Sequence, residues 1–338
     1  MAIRKNRAPT LVDVAREAHV SLKTASRVLN KSANVREEKI AKIQAVMARL
    51  GYRPNELARG LKSHKSSAIG MIVANLSNPF IVNVIRAVQE AARSNGYVVI
   101  VASSGGDPDV ERSEIETLVR RQIDGLVIAP AESRRDTFSD ILPAGLEVVT
   151  FDQVIRAARF DSVAITNRRS AHEATQHMLG HGLRRIVAIG ARPHLYTTRE
   201  RVAGYREGMN HASLESRTCL LKHESLLTPE WLDKEVLRRH EADAIFPLNW
   251  ICTLHVLRGL RELGKKTGRD VPLISFDDFE LGELLTPGLS VVQQPSEMLG
   301  HEAARLLFER LKGGVGQHPR TVVLPAEMII RGSCGCRQ

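Results

Sequence analysis

Side chains that can bind nucleic acid are concentrated in one short stretch near the N-terminus. Lys23 and Arg27 can bind base edges in a major groove, Arg in a bidentate manner to guanine, and neighbouring hydroxyl and amide groups can bind phosphate oxygens. The set comprises Leu22, Lys23, Thr24, Ser26, Arg27 and Asn30. Their chemistry suits DNA recognition, although a solvated helical hairpin in an ordinary bundle can carry the same residues.

Two short helices joined by a tight turn must position these side chains. Thr10 can cap the first helix, with Asp13 three residues later in position to complete a capping box. A second start signal at Ser21 predicts a helix over Leu22–Leu29. Apolar residues at spacings of three and four predict a third helix over residues 36–50, so the N-terminal region is expected to form a small all-helical unit.

The net positive charge of the chain is confined to the same region. Residues 1–65 contain 15 basic and 5 acidic side chains, a net charge of +10, whereas the remaining residues contain 33 of each. Cationic surplus on the segment that carries the helical pair is typical of a phosphate-binding surface. The same net charge spread evenly along the chain would have been much weaker evidence for a nucleic-acid-binding surface.

After residue 67, short apolar runs alternate with helical patterns, which predicts parallel sheets covered by helices on both faces. Two such α/β units fit the length, with crossings near residues 290–294 and 324. Ligands of these folds bind at the carboxyl ends of the strands. Carboxylates, amides, arginines and aromatic rings in those loops suit a polyhydroxylated ligand. The candidates are Asn78, Phe80, Asp152, Arg199, Arg201, Asn249, Trp250 and Asp277.

Other kinds of site are not indicated, and no metal or cofactor is expected. The chain lacks the GxGxxG, P-loop and GxSxG motifs. Cys334 and Cys336 lack the second pair that a zinc site needs, and His177 and His181, one helical turn apart, are more simply a solvated pair. No apolar run of about 18 residues indicates a membrane span. A reduced, cytoplasmic protein is expected.

Two stretches, LVDVAREAHVSLKTASRVLN and VREEKIAKIQAVMARLGYRPNELARGL, resemble the DNA-binding headpiece and hinge of the LacI/GalR family of bacterial transcription regulators. The resemblance implies that Leu22, Lys23 and Arg27 enter the major groove. It also implies that a hinge helix folds on DNA and inserts Leu61 into the minor groove, with Asn55 and Ala58 beside it. The implied phosphate contacts are Thr10, Ser21, Thr24, Ser26 and Asn30. One departure is His19, where the family usually has glycine.

The remainder resembles the family's effector core, which is similar to periplasmic sugar-binding proteins, in IGMIVANLSNPF, DGLVIAP, RERVAGYREGM and SFDDFELGELLTPGLSVVQQP. The resemblance implies effector contacts from Asp152, Arg201, Asn249 and Asp277. Trp250 replaces the Asp that commonly follows this Asn, so the ligand can differ from a plain hexose. Arg199 beside Arg201 would suit an acidic sugar, but a surface ion pair is the favoured explanation of one extra arginine.

These observations predict an allosteric regulator that binds palindromic operator DNA and a sugar or sugar-acid effector. The predicted assembly is a homodimer, with a tetramer as the alternative. The predicted domains are a helix-turn-helix headpiece at 1–53, a hinge at 54–67 and an α/β core at 68–338. Within the core, one doubly wound subdomain takes 68–165 and 293–322, and the other takes 166–292 and 323–338. The alternatives are a cytosolic sugar-processing enzyme with a basic appendage and a non-specific DNA-packaging protein.

Overall fold

The computed structural model describes residues 9–29, 35–52, 66–134, 136–155, 160–313 and 318–336. The chain forms two compact units, Met1–Ser66 and Ser67–Gln338. Some of the predicted DNA contacts lie outside the described residues, together with most of the predicted hinge at 54–67. These contacts are Asn30, Asn55, Ala58 and Leu61.

Within its described residues, the N-terminal unit contains the three predicted helices, α1 (Leu11–Glu17), α2 (Leu22–Leu29) and α3 (Glu37–Leu50). The capping box of α1 is formed in both directions. The Thr10 N–H donates to Asp13 Oδ2 at 2.9 Å, and the Asp13 N–H donates to Thr10 Oγ1 at 3.4 Å. These bonds satisfy N–H groups that have no partner within the helix, and they fix where α1 begins.

A small apolar core holds the three helices together. Its buried members are Val14, Ala18, Ile43 and Val46, contributed by α1, the turn after it and α3. His19 in the turn between α1 and α2 has a φ of 53°, in the left-handed region that favours glycine. The turn therefore has the expected conformation, at a cost of roughly 1 kcal/mol for a residue with a Cβ atom.

The second unit alternates strands and helices along the chain. Its strands are β1 (Ala68–Val73), β2 (Val98–Ser103), β3 (Gly125–Ile128), β4 (Glu147–Phe151), β5 (Asp161–Ile165), β6 (Ile186–Ala191), β7 (Arg217–Leu221), β8 (Ala244–Pro247), β9 (Ile274–Phe276), β10 (Ser290–Gln293), β11 (Thr321–Leu324) and β12 (Glu327–Ile329). Its α-helices are α4 (Pro79–Ser94), α5 (Pro108–Arg120), α6 (Asn167–Gly180), α7 (Tyr196–His211), α8 (Pro229–Trp231), α9 (Trp250–Glu262) and α10 (Ser296–Leu311). A π-helical segment, Leu232–Arg238, continues α8, and single 3-10 turns occur at Ser139–Ile141, Glu224–Leu226 and Glu280–Gly282.

The strands form a six-stranded sheet in the first half of this unit and two three-stranded sheets in the second half. The first sheet has the order β11-β5-β4-β3-β1-β2 and is parallel throughout. The second half has parallel β7-β6-β8 and a group β12-β10-β9, joined by one bridge between Ile245 and Leu273. Only the β10–β12 pair is antiparallel among the paired strands that the structure describes. The predicted architecture of two parallel α/β halves is confirmed, with one antiparallel edge.

The late part of the chain returns to the first half and then leaves it again. Helix α10 packs against α4, and β11 pairs with β5, whereas β10 and β12 belong to the second half. Strand β11 pairs with β5 as far as Leu324, so the second crossing follows Leu324, close to the predicted position. All four residues of β11 pair with residues of β5, so the whole of β11 belongs to the first sheet.

Both faces of the sheets are covered, which explains why strands such as β1 and β6 are buried along their full length. None of the helices in the described segments has both the length and the apolar character needed to cross a lipid bilayer. The strand ends that carry polar residues converge at one edge of each sheet, and these edges border the cavity described below.

Candidate DNA-binding face and ligand cavity

Helix α2 presents the predicted groove-binding side chains on the surface of the N-terminal unit. Ala25 is buried, whereas Lys23 and Arg27 are exposed and Leu22 keeps half of its surface accessible. Because a helix turns by about 100° per residue, burial of Ala25 directs positions 23 and 27 away from the core. An exposed leucine beside these cations suits contact with a thymine methyl group.

Hydroxyl side chains lie where the two helices begin. Ser21 Oγ accepts the Thr24 N–H at 3.1 Å and lies 2.8 Å from Thr24 Oγ1, and Thr10 caps α1. Ser26 is half-buried on the same helix as Thr24. Helix N-termini carry partial positive charge and favour phosphate oxygens, so these positions fit contacts with a DNA backbone.

The second unit contains a cavity of about 320 Å³ between the loops that follow its strands. Seven of the eight predicted ligand-binding residues line this cavity. They are Asn78, Phe80, Asp152, Arg201, Asn249, Trp250 and Asp277. The two asparagines also cap helices, because Asn78 Oδ1 accepts the Phe80 N–H at 3.0 Å and Asn249 Oδ1 accepts the Cys252 N–H at 2.9 Å. The N-termini of α4 and α9 therefore border the cavity.

Arg201 is buried at this cavity and held by two hydrogen bonds and an aromatic contact. It is buried on α7, its Nε donates to Asn167 Oδ1 at 2.8 Å, and its Nη1 donates to the Leu248 carbonyl at 2.6 Å. Its guanidinium carbon lies 4.0 Å from the centre of the Phe276 ring, a cation–π contact. Burial lowers the pKa of Arg201, opposed by the charges of Asp277 and Asp152. The guanidinium is fixed before any ligand binds.

Asp152 and Asp277 hold two carboxylates at the cavity, each directly after a strand. Their φ values of 61° and 72° lie in the left-handed region, a strain that non-glycine residues retain only where the surroundings enforce it. Burial raises the pKa of Asp152, opposed by the charge of Arg201 and a hydrogen bond from Gln153 Nε2 at 2.7 Å. Asp277 accepts hydrogen bonds from the Trp250 N–H at 3.1 Å and from the Gln294 amide.

Arg199 is the one predicted ligand residue that the structure does not place at this cavity. Its Nη1 donates to the His194 carbonyl and, at 3.4 Å, to Ser133 Oγ, and it lines a separate surface cleft. The reason is helical geometry. Side chains two positions apart on a helix point about 200° away from each other, so Arg199 and Arg201 lie on opposite sides of α7.

Sequence reasoning missed Arg192, Thr197 and Gln294, which also line the cavity. Arg192 directly follows β6 and Gln294 directly follows β10, so the rule that selected Asp152 and Asp277 would have selected them too. Gln294 Oε1 is buried without a hydrogen-bond partner among the described residues. A ligand donor at this point would satisfy it.

Arg192 also explains the glycine-containing turn after β2. Its Nη1 donates to the Gly106 carbonyl at 3.1 Å and its Nη2 to the Gly105 carbonyl at 3.2 Å. Asp107 in the same turn caps α5 through its Oδ1. The turn therefore offers its carbonyl groups as acceptors to an arginine.

Bonds across the cavity connect the two halves of the second unit. Besides Arg192, Gln153 Nε2 lies 3.0 Å from Thr197 Oγ1, and Ser133 Oγ donates to the His194 carbonyl at 3.1 Å. Each bond joins a loop at the first sheet to a loop or helix of the second half. A ligand in the cavity would touch both halves at once.

Comparison with known proteins agrees with both units. A model of bacterial regulatory proteins of the lacI family matches residues 10–55. Models of a periplasmic binding protein domain and of a periplasmic binding protein-like domain match residues 69–231 and 175–334. The family match covers the helical unit, and the other two cover the cavity-bearing unit.

Full-length relatives show the same arrangement in one chain. The HTH-type transcriptional regulator KdgR of Bacillus subtilis is 31% identical over 334 residues, which cover 96% of this chain and 97% of that protein. The HTH-type transcriptional regulator PtxS of Pseudomonas putida is 32% identical over 332 residues, covering 96% and 95%. Both relatives are HTH-type transcriptional regulators.

Solved structures share the fold along nearly the whole chain. A transcriptional regulator CelR–cellobiose complex is 27% identical with a TM-score of 0.69, covering 96% of this chain and 99% of that one. The lac repressor dimer bound to operator and the anti-inducer ONPF gives a TM-score of 0.84 at 21% identity, covering 97% and 99%. The chain therefore belongs to the lacI family of bacterial regulatory proteins and is a DNA-binding transcription regulator.

Proposed function

We propose that this regulator binds a palindromic operator as a homodimer and represses transcription, and that a sugar or sugar acid in the cavity changes its affinity for the operator. One observation carries the proposal: an exposed cationic helix face and a ligand cavity occur in the two separate units of one chain. Because bacterial chromosomal DNA lies in the cytoplasm, we expect the protein to act there.

Base recognition is assigned to the exposed face of α2. Arg27 and Lys23 would bind guanine O6 and N7 or nearby phosphates, and Leu22 would contact thymine methyl groups. Thr10, Ser21, Thr24 and Ser26 would hold phosphates and so fix the orientation of α2 in the groove. The clustering of positive charge in residues 1–65 supports this assignment.

Further DNA contacts are proposed on the resemblance alone, because they lie outside the described residues. Asn30 would bind phosphate. Leu61 would enter the minor groove between base pairs and kink the duplex, with Asn55 and Ala58 beside it.

The DNA assignment is tested by selecting a binding sequence from a random duplex pool with the full-length protein and then comparing two arginine variants on it. Arg27→Ala should weaken binding by about 1–3 kcal/mol, since it removes a base contact. Arg49→Ala is the matched control, because Arg49 lies in the same unit and pairs with Glu17 at 2.8 Å. It removes the same charge away from the recognition face and should change affinity by less than about 0.5 kcal/mol.

Equal losses for the two variants would contradict the assignment of α2 as the recognition helix. Failure to enrich any sequence at raised salt would favour the DNA-packaging alternative, because non-specific contacts depend most strongly on salt. The expected half-sites lie about one helical turn apart, since paired helix-turn-helix units enter successive major grooves on one face.

The ligand is proposed to be polyhydroxylated. Carboxylates (Asp152, Asp277) and arginines (Arg192, Arg201) line the same cavity, and this set suits paired hydrogen bonds to adjacent hydroxyls. A volume of about 320 Å³ lies at the small end of ligand sites and suits one or two sugar rings. The solved CelR–cellobiose complex shows that a protein of this fold takes a sugar.

A thermal-shift screen of neutral sugars, sugar acids and sugar phosphates on the full-length protein identifies the class. A true ligand at 100 times its Kd stabilises the folded protein by about 2.7 kcal/mol through mass action. Asp277→Asn should remove most of the shift, because the cavity loses a charged acceptor. If no compound of these three classes raises the melting temperature, the ligand proposal is wrong. Recovery of a chemically altered ligand by mass spectrometry would instead favour a sugar-processing enzyme.

Coupling between the ligand and DNA is assigned to the bonds across the cavity. Arg192 to Gly105 and Gly106, and Gln153 to Thr197, hold the two halves of the second unit together. A ligand that binds one arrangement of the halves more tightly than another shifts the population between them. This change in population can affect DNA binding only if it alters the dimer. The molar mass of the protein in solution is therefore measured as well. We expect a dimer, and a tetramer is the alternative assembly.

A further inference from the structure

Two histidines and two cysteines meet at the end of α6, away from the ligand cavity. His177 and His181 lie one helical turn apart, with Nε2 atoms 3.2 Å from each other. Cys336 Sγ lies 3.5 Å and 3.1 Å from these two nitrogens, and Cys334 Sγ lies 3.2 Å from Cys336 Sγ. All four potential ligand atoms lie within 4.8 Å of one another.

This grouping corrects two expectations from the sequence. The C-terminal cysteines were expected to lack a second pair of ligands, and the histidines were expected to be a simple solvated pair. The structure brings the histidine pair and the cysteine pair together across 155 to 159 residues of chain. Each pair therefore supplies the two further ligands that the other pair needs for a four-coordinate site. Cysteine pairs and histidine pairs in this combination are typical of zinc sites.

The fold holds the cysteine-bearing segment in place independently of the histidines. Ser333 Oγ accepts the Ser290 N–H and donates to the Leu273 carbonyl, both at 2.7 Å, so the residue before Cys334 is fixed in the second half of the unit. Cys334 is fully buried in the same apolar cluster as Met178 on α6. The position of its sulfur is therefore set by the fold.

We propose that His177, His181, Cys334 and Cys336 bind one zinc ion. With Zn–S near 2.3 Å and Zn–N near 2.0–2.1 Å, a tetrahedral site requires roughly 3.4 Å between nitrogens, 3.6 Å between nitrogen and sulfur, and 3.8 Å between sulfurs. Four of the six separations are recorded, and they differ from these values by about 0.6 Å or less. The other two, from Cys334 Sγ to the histidine nitrogens, are at most 4.8 Å. Side-chain rotations are required to bring all four donors to bonding distance.

The chemistry of the donor set fits a structural ion. Two thiolates cancel the charge of Zn²⁺, so the ion can sit in a partly buried place without a further counter-ion. Four protein ligands leave no open position for substrate, which separates this site from a catalytic one. The ion would join the C-terminal segment to α6, and binding would release the two thiol protons.

The site is open enough for an ion to enter. His181 is exposed, and His177 and Cys336 are half-buried, with only Cys334 fully enclosed. A second histidine pair provides an internal comparison: His172 Nε2 lies 3.0 Å from His211 Nδ1. No cysteine belongs to this pair within the described residues, so it has the same imidazole contact without the thiolates.

The experiment uses the full-length chain without a histidine tag, purified with a reductant and reconstituted with Co²⁺ in place of Zn²⁺. We expect one equivalent of metal per chain by elemental analysis. We also expect the visible bands of tetrahedral Co²⁺, a near-ultraviolet thiolate charge-transfer band, and displacement of both by Zn²⁺. Removal of the metal with a chelator should lower the melting temperature.

Two variants test the ligands, and one serves as the control. Cys336→Ser and His181→Gln should each lose the tetrahedral bands and the effect of the chelator, whereas His172→Gln should keep both. Because His181 is exposed, its variant is expected to fold even if a cysteine variant does not. Circular dichroism establishes that each variant is folded.

Three results would overturn the proposal. The first is the absence of bound metal in the reduced, folded wild type. The second is unchanged bands in both ligand variants, which would place the metal elsewhere. The third is loss of two hydrogens from the intact mass under reducing purification, with no metal, which would assign Cys334 and Cys336 to a disulfide.

Discussion

Replacing Arg201 by alanine should destabilise the second unit far more than any exposed arginine would. The side chain is buried, and its loss leaves the Asn167 amide oxygen and the Leu248 carbonyl without their donors. It also leaves Asp152 and Asp277 without the positive charge that faces them. Leaving buried carboxylates without a neighbouring cation is comparable to breaking a buried ion pair, which costs about 3–5 kcal/mol, mostly because the remaining charge stays buried.

The matched control is Arg199→Ala, two residues earlier on the same helix. Arg199 bonds to His194 and Ser133 outside the cavity, so its removal should cost about 1 kcal/mol or less. The measurement is the free energy of unfolding from urea titrations of both variants and the wild type. The screen for ligands, repeated on Arg201→Ala, should show no thermal shift, whereas binding to the selected operator should persist.

A double variant separates lost packing from uncompensated charge. If the cost comes from buried carboxylates, adding Asp152→Asn to Arg201→Ala should recover about 1–2 kcal/mol, although Asp152→Asn alone should not stabilise the protein by that amount. Equal free energies for Arg201→Ala and Arg199→Ala would refute the reasoning. If the free-energy changes of Arg201→Ala and Asp152→Asn simply add in the double variant, the two charges do not interact.

Three further predictions follow from local geometry. Glu111 is buried and burial raises its pKa from 4.5 to about 7, so the wild type should lose on the order of 3 kcal/mol of unfolding free energy between pH 4.5 and 7 relative to Glu111→Gln. Urea titrations at pH 5 and pH 8 measure this difference, and parallel pH dependences would contradict it. A Cβ at Gly204 would lie 1.9 Å from the Arg168 carbonyl oxygen, so Gly204→Ala should cost about 1–3 kcal/mol or more, whereas Gly180→Ala, with open space around it, should cost nothing. The melting temperatures of the two variants are compared with that of the wild type. Equal shifts would show that α6 and α7 can move apart to accommodate the added Cβ without strain. Thr10→Ala should destabilise the N-terminal unit by about 0.5–2 kcal/mol through loss of the cap, seen as a lower melting temperature of that unit, and an unchanged transition would mean that the capping box contributes little.

Much of the architecture could be predicted because its determinants are local. The capping residue Thr10 and the glycine at position 51 mark the ends of helices through bonds made within four residues. Apolar runs such as Ala68–Val73 identify strands because a buried parallel strand excludes polar side chains on both faces. Asp152 and Asp277 could be selected because the residue after a parallel strand lies at the ligand edge of its sheet.

Other features depended on contacts that no local pattern contains. Arg199 and Arg201 are near neighbours in sequence, yet the packing of α7 buries one at the cavity and turns the other to a separate cleft. Arg192 meets the Gly105–Gly106 turn across 86 and 87 residues of chain. The sequence could not predict which loop of the first half would face it.

Local sequence patterns are sufficient to predict the three N-terminal helices, the alternation of strands and helices, and the clustering of positive charge, because each depends on residues close together in the chain. Long-range packing establishes which arginine faces the cavity, and it brings His177 and His181 to Cys334 and Cys336. No local pattern contains these contacts, because side chains more than 150 residues apart become neighbours only when buried packing fixes the crossings between the two halves of the core.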